Sequence, residues 1–185
     1  MDWNQILKNR KQTFVWKETI PDRSTIEAII KEVHDYCPSK QKRVPYKIEL
    51  LDWSDTERRN NIFALTWCAE NTVSDRRNPQ VLAPYLITLS FRDTGSNEHN
   101  LNYQLELGMV AMFITLAAAN YGLDTGYCGC YHGEDFELAI GIGYAAEDRS
   151  KYYNPILKKY VNAPGVPLPS DESKPRIEEY TNVQI

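Results

Sequence analysis

One stretch of the sequence, residues 101–121, constrains the fold more than any other. It is long enough for a six-turn helix and apolar on nearly every side, and Gly122 follows it, where glycine commonly ends helices. A helix that is hydrophobic all round must be covered all round. This predicts either the central helix of a domain or a subunit interface. Its apolar run, residues 107–119, is too short to cross a bilayer, so we expect no membrane partner.

The remaining segments predict a single α+β domain over residues 1–185. With 185 residues, of which 42% are hydrophobic, the chain can bury a substantial core. Alternating or β-rich segments predict strands at 46–52, 84–91 and 138–145. Helices are expected at 2–9, where Asp2 is the cap, at 23–36, and from 54 towards 70. The last two carry capping-box pairs, Ser24 with Glu27 and Ser54 with Glu57.

The C-terminal segment, residues 163–185, is predicted to be an extended arm. Its four prolines, at positions 164, 167, 169 and 175, disfavour a helix. It also carries apolar side chains such as Leu168, Ile177 and Tyr180, which need a surface to pack on. A second subunit wrapped by the arm would provide that surface.

Charge and cysteine content exclude several classes of protein. The net charge of −4 argues against nucleic acid or an anionic membrane as the main partner. The four cysteines form no disulfide framework, and the N-terminus has no secretory pattern, so we expect a cytoplasmic protein. Cys128, Cys130 and His132 lack the further pair that a structural zinc site requires, so we expect no metal.

Two short basic motifs stand at opposite ends of this acidic chain. Arg10 and Lys11 lie near its start, and Lys174 and Arg176 near its end. Cation pairs that meet in space would suit a compact dianion such as a terminal phosphate. Solvated surface charge is the alternative, and spacing alone does not choose between them.

A conventional catalytic group is not evident. The sequence has neither a Gly-x-Ser-x-Gly elbow nor a Walker-type loop, and its three histidines lie in ordinary surroundings. Glu106, inside the long helix, is a better-placed acid, but a buried hydrogen-bonded carboxylate explains it equally well. A chain without catalytic side chains can still be an enzyme if a cofactor carries the reaction.

The order of short motifs along the chain resembles that of the FMN-dependent nitroreductase family. The family opens with a basic motif ending in an aromatic residue, then has a Pro-Ser loop, a long helix followed by a Gly-containing loop, a strand ending in Gly-Tyr-Pro-Ala-Glu, and a closing Lys-x-Arg. The corresponding segments here are Arg10-Lys11-Gln12 with Trp16, Pro38-Ser39 through Pro45-Tyr46, Gly122-Leu123-Asp124-Thr125 followed by Gly126 to Tyr131, Gly143-Tyr144-Ala145-Ala146-Glu147, and Lys174-Pro175-Arg176.

The resemblance implies a homodimer with one FMN in each of two interface clefts. It implies an α+β fold with a mostly antiparallel central sheet flanked by helices, and no catalytic side chain, because the flavin carries the chemistry. NADH or NADPH would reduce the flavin, and a flat electron-poor acceptor such as a nitroaromatic or quinone would reoxidise it in a ping-pong cycle. The implied FMN-binding residues are Arg10, Lys11, Gln12, Pro38, Ser39, Tyr127, Cys128, Gly129, Cys130, Lys174 and Arg176.

The chain also departs from the family pattern. Lys42 and Val44 stand where the family has Asn and Gln, and Phe14 stands where a base-facing cation is common. Arg43, Arg76 and Arg77 are candidate replacements at the flavin edge. These departures keep two alternatives open: a flavin-binding protein of the same fold with another or no turnover reaction, and a structural protein with a decayed site.

Overall fold

The computed structural model describes residues 2–67, 77–92 and 101–163. The predictions for Arg76, Lys174, Arg176 and the arm beyond residue 163 therefore lie outside the described residues.

The described chain forms four helices and six strands. The helices are α1 (Trp3–Asn9), α2 (Arg23–Tyr36), α3 (Thr56–Ala64) and α4 (Leu101–Asn120). The strands are β1 (Tyr46–Leu51), β2 (Tyr85–Phe91), β3 (Asp124–Cys128), β4 (Leu138–Gly143), β5 (Lys151–Asn154) and β6 (Lys159–Asn162), and two short 3-10 turns cover Lys40–Lys42 and Pro79–Leu82.

A four-stranded antiparallel sheet in the order β1-β2-β4-β3 forms the centre of the fold. At its β3 edge the N-terminal segment runs alongside, with a parallel bridge from Gln12 to Thr125. Strands β5 and β6 form a separate hairpin. The predicted α+β class, with an antiparallel sheet, flanking helices and a long central helix, is confirmed.

Alternation along the strands divides the hydrophobic residues into two cores. Ile87 and Ile140 point to one face of the sheet and pack with α2 and α4 in the first core. Their neighbours Leu86 and Ala139 point to the other face and pack with Phe63 of α3 in the second core. Strands β2 and β4 are therefore buried on both faces, so the hydrophobic run in β2 is nearly continuous.

Helix α4 lies against the first core but leaves one apolar face open. Leu101, Leu105, Met109 and Met112 are 70, 58, 44 and 42% exposed. With Gly108 they form what we call the α4 stripe. By length and composition α4 is apolar enough to span a membrane, because its 18-residue apolar segment has a mean hydropathy of 1.3. However, 50% of that segment is buried within the chain. A core helix with one uncovered face accounts for both properties.

Several local predictions are wrong. Helix α2 has the predicted bounds, but it begins after Asp22, so Ser24 lies inside the first turn and caps nothing. Helix α3 likewise begins after Asp55, without a side-chain cap from Ser54, and ends at Ala64 rather than near residue 70. By contrast, Asp2 accepts a hydrogen bond from the Gln5 amide at 3.0 Å, as its predicted capping role requires.

Candidate functional site

The N-terminal basic motif is fastened to strand β3 by one side chain. Gln12 Nε2 donates to the carbonyl of Tyr127 at 2.7 Å, and its Oε1 accepts from the Tyr127 amide at 3.0 Å. The next residue continues the contact, with the Thr13 amide donating to the Thr125 carbonyl at 2.9 Å. Two predicted site segments, far apart in sequence, are therefore adjacent.

Close backbone approach at this contact depends on Gly126. A Cβ built there would lie 2.1 Å from the Thr13 carbonyl oxygen, a distance that real side chains do not reach. Glycine is thus required in β3 for the basic motif to lie where it does.

Arg10 and Lys11 do not point the same way. Arg10 is close enough to Tyr127 for its charge to act on that phenol, whereas burial, the larger effect, raises the Tyr127 pKa. Lys11 instead lines a polar pocket of about 350 Å³ at the C-terminal end of α4, together with Asp124 and Arg149. Among the described residues neither cation has a carboxylate partner within 4.0 Å.

The predicted flavin loop is mostly a strand. Tyr127 and Cys128 are the last residues of β3, and Cys128 is buried in the second core. Gly129 is exposed and Cys130 is half-buried, so backbone at the strand end is accessible. The phenol of Tyr127 contacts α4, where its oxygen lies 3.1 Å from both Thr115 Oγ1 and the Ala111 carbonyl.

A buried carboxylate holds the Pro-Ser loop. Glu106 is 6% exposed, and its two oxygens accept hydrogen bonds from Ser39 Oγ at 2.7 Å and from the Lys40 amide at 3.0 Å. Ser39 Oγ in turn accepts from the Val44 amide at 2.8 Å. Glu106 therefore acts as a positioning residue for this loop, and this resolves the two interpretations that its sequence position left open.

The same loop carries backbone strain. Gln41, Lys42 and Val44 all have positive φ, at 54°, 56° and 45°. Such a conformation is unfavourable for non-glycine residues, most of all for a β-branched one. Strain of this kind persists only where surrounding contacts over-determine the backbone, and here the bonds from Ser39 and Glu106 provide those contacts.

The Pro-Ser loop and the Tyr127 end of β3 contact different sides of α4. Glu106, which holds Ser39, and Thr115, which contacts Tyr127, are about two and a half turns apart and therefore project about 180° from each other. The α4 stripe lies between them. Within one chain, then, the Pro-Ser loop and the basic motif flank an exposed apolar surface from opposite sides.

Of the two candidate flavin-edge cations that the structure describes, Arg77 and Arg43, Arg77 is the one next to the β3 loop. Its guanidinium carbon is 5.2 Å from the centre of the Trp67 ring, and that ring stacks on His132 at 4.0 Å. The Trp67 amide donates to the Cys130 carbonyl at 3.2 Å, which links the group to the predicted flavin loop. Arg43 is exposed in the Pro-Ser loop.

Phe14, which stands where the family has a cation, is not at the β3 contact. It packs partly on the second core and lines a separate cavity. Sequence reasoning also missed the roles of Gly126 and Thr115. A glycine inside a β-like segment was an available signal for the first, whereas Thr115 gave none.

No protein-family model matches the sequence, and no curated protein matches it. Solved structures are similar to it in fold. A nitroreductase family protein from Clostridium difficile 630 has a TM-score of 0.65 at 11% identity, covering 100% of this chain and 99% of that one. An FMN-dependent nitroreductase from Clostridium difficile R20291 has 0.60 at 20%, with coverages of 83% and 92%. The FMN-dependent nitroreductase NfnB from Mycobacterium smegmatis, in complex with NADPH, has 0.62 at 12%, with coverages of 78% and 87%. The chain therefore has the nitroreductase fold.

Proposed function

We propose that this chain, which has the nitroreductase fold, is a cytoplasmic homodimeric FMN-dependent oxidoreductase. It takes reducing equivalents from NADH or NADPH and passes them, in a ping-pong cycle, to a flat electron-poor acceptor such as a nitroaromatic or a quinone. The observation that carries the proposal is the paired hydrogen bonding of Gln12 to Tyr127, which joins the basic motif to the accessible end of β3.

The donor set suits a flavin mononucleotide. Arg10 has no carboxylate partner among residues 2–67, 77–92 and 101–163, so its guanidinium is available for a phosphate dianion. Lys11, Lys174 and Arg176 are proposed to add further positive charge at the phosphate, for which the Lys11 side chain must turn away from the pocket it lines at the end of α4. The last two lie outside the described residues, so their part rests on the family resemblance alone.

The backbone from Tyr127 to Cys130 is proposed to bind the polar edge of the flavin ring. Exposed Gly129 permits close approach of a flat ligand. Gln12 positions this segment, because both atoms of its side-chain amide are bonded to the Tyr127 backbone. It is therefore a positioning residue rather than a phosphate ligand.

The Pro-Ser loop is proposed to reach the flavin of the other subunit. In one chain, Pro38 and Ser39 lie on the far side of the α4 stripe from Tyr127. A ligand that touches both groups must then lie between two chains that pack stripe against stripe. The exposed side chains of Leu101, Leu105, Met109 and Met112 suit such an interface.

The chemistry would come from the cofactor. Bound FMN supplies hydride acceptance from a nicotinamide and electron delivery to an acceptor that takes its place. The protein binds and orients: Arg10 at the phosphate, the β3 end and Ser39 along the ring. A cation at the ring edge lowers the cost of negative charge there, and Arg77 and Arg43 are the described candidates.

One observation favours the second candidate function, a flavin-binding protein with another or no turnover reaction. Phe14 replaces a cation and its side chain packs on the second core. The site then depends on Arg77 or Arg43 to stabilise charge on the reduced ring.

The visible spectrum of the purified protein tests cofactor binding, and NADH or NADPH oxidation with an added quinone tests turnover. We expect flavin absorbance with one FMN per chain, and oxidation that Arg10→Ala reduces by weakening FMN retention. A colourless protein that takes up no added FMN contradicts the proposal. Flavin without quinone-dependent oxidation favours the second candidate.

A further inference from the structure

A second cavity, of about 700 Å³, opens on the side of the sheet that carries the second core. Its walls come from the segment after the basic motif, the 79–84 turn, α3 and the β5–β6 hairpin. None of the described candidate flavin-binding residues lines it. Its volume is in the range of small-molecule sites, roughly 300–1,000 Å³.

Six aromatic side chains line this cavity. Phe14, Trp16 and Tyr152 lie deeper in the cavity, while Trp53, Tyr153 and Tyr160 lie at its rim. Trp53 is 59% exposed, so its ring is open to a ligand. Side chains of this kind stack on flat ligands.

The wall also contains a buried cation. Arg59 is 7% exposed. Its Nη1 donates to the Pro84 carbonyl at 2.8 Å, and its Nη2 donates to the carbonyls of Ala83 and, at 3.4 Å, of Val81. Three of its five N–H groups are thus used, all on neutral acceptors. The Nε–H and one Nη1–H have no acceptor among the described residues.

Within residues 2–67, 77–92 and 101–163, no carboxylate lies within 4.0 Å of Arg59. Asp55 and Asp52 attract it only through space, and burial outweighs them and lowers its pKa. Burying a charge against neutral groups alone is costly, so an anionic partner at this position would be strongly favoured.

The other charged side chains at the rim either have partners already or are of opposite sign. Lys17 pairs with Glu147 at 3.1 Å, and Asp148 accepts two hydrogen bonds from Ser150. Glu18 and Lys151 are exposed and of opposite sign. Arg59 is therefore the charge that distinguishes the cavity.

We propose that this cavity is a second ligand site, separate from the flavin cleft, and that it binds a planar aromatic carboxylate. The ring lies against Trp16 and Trp53, and the carboxylate accepts from one of the two remaining N–H groups of Arg59, since Nε–H and Nη1–H point to different sides of the guanidinium. The residues named for this site all belong to one chain.

Titration of the flavin-loaded protein with 2-naphthoate tests the proposal, with neutral 2-naphthamide as the matched probe. We expect saturable binding of one naphthoate per chain, seen as a change in tryptophan emission, with the flavin absorbance unchanged. The amide should bind at least about tenfold more weakly, because it lacks the charge-assisted bond. Equal binding of the two probes, or no saturation, overturns the proposal.

Two substitutions locate the site. Trp53→Ala should weaken naphthoate binding by about tenfold, since a stacking partner is lost. Trp3→Ala is the control, because Trp3 is also 59% exposed but lies on α1. If Trp53→Ala and Trp3→Ala change naphthoate binding equally, the probe binds elsewhere and the proposal is overturned. A shift in the flavin spectrum that Trp53→Ala does not alter has the same consequence.

Arg59→Gln should remove the preference for naphthoate over naphthamide. Because the tryptophan pair and the amide probe need no change at Arg59, the test holds even if that variant does not fold.

Discussion

The side-chain amide of Gln12 bonds to both the amide and the carbonyl of Tyr127, at 3.0 and 2.7 Å. A glutamine used in this way acts like one more pair of backbone groups, extending the sheet at its β3 edge. It sets the distance between the cationic motif and the strand end, which are the two parts that one flavin mononucleotide would span.

Removing this contact should weaken FMN binding without unfolding the protein. Gln12→Ala loses two hydrogen bonds, worth about 2 kcal/mol together, or roughly a 30-fold rise in the FMN dissociation constant if both serve to position the site. Flavin fluorescence titration measures it. Gln5→Ala is the control, since Gln5 donates to Asn9 on the exposed side of α1. Equal affinities for the two variants would exclude Gln12 as a positioning residue.

Gly126→Ala should displace the N-terminal segment. The added Cβ would meet the Thr13 carbonyl oxygen at 2.1 Å, so backbone must move, at a cost of about 1–3 kcal/mol in unfolding free energy. Denaturant unfolding measures this cost. Gly129→Ala offers a comparison, because the nearest atom to its Cβ would be 3.8 Å away, and its stability should change little. Similar losses in both variants would contradict the close-approach argument.

Glu106→Gln should loosen the Pro-Ser loop. An amide presents one acceptor oxygen where the carboxylate presents two, so the bond from Ser39 or from Lys40 is lost and an N–H group faces a donor. We expect destabilisation of about 1–3 kcal/mol and weaker FMN retention. Glu27→Gln, at an exposed carboxylate paired with Arg23, should have little effect on either. If Glu106→Gln leaves FMN retention unchanged, the Pro-Ser loop does not contribute to the flavin site.

Stability should fall at alkaline pH partly through Tyr46. Burial, aided by nearby Cys37 and Glu106, raises its pKa from 10.0 to about 12. The folded chain holds the phenol proton more tightly than the unfolded chain, so this stabilisation is complete below pH 10 and is lost as pH rises towards 12. Tyr46→Phe should flatten the decline in unfolding free energy over that interval. An identical decline in both proteins would show that Tyr46 ionises freely.

Long periodic elements were predictable from the sequence, whereas short and non-local ones were not. The spacing of apolar residues predicts helices α2 and α4, and Gly122 marks the end of α4. Residues 126–131 were expected to form a loop because the family resemblance implies a Gly-containing loop there. The structural reason for Gly126, the close approach of the Thr13 backbone, lies far away in the sequence. The β5–β6 hairpin is short and largely exposed, so it has little hydrophobic signal.

The site was predictable only in part for the same reason. The order of motifs, through the family resemblance, led to the prediction of Arg10, Ser39 and the β3 end as site residues. The partners that hold them, Gln12 to Tyr127 and Glu106 to Ser39, are side-chain contacts across the fold that no local spacing encodes. The incorrect capping-box predictions show the converse: the local pattern at Ser24 is valid, but the helix has its N-cap at Asp22, two residues earlier.

The central claim is that each flavin cleft combines the basic motif of one chain with the Pro-Ser loop of the other. The most direct measurement is the FMN content of a heterodimer, made from one chain carrying Arg10→Ala and one carrying Ser39→Ala and purified through two different tags. If clefts are shared, both lesions fall in one cleft and the other is intact, so we predict one tightly bound FMN per heterodimer where either homodimer retains little. If each cleft is built by a single chain, both clefts carry one lesion, and a heterodimer no better than the homodimers would contradict the account.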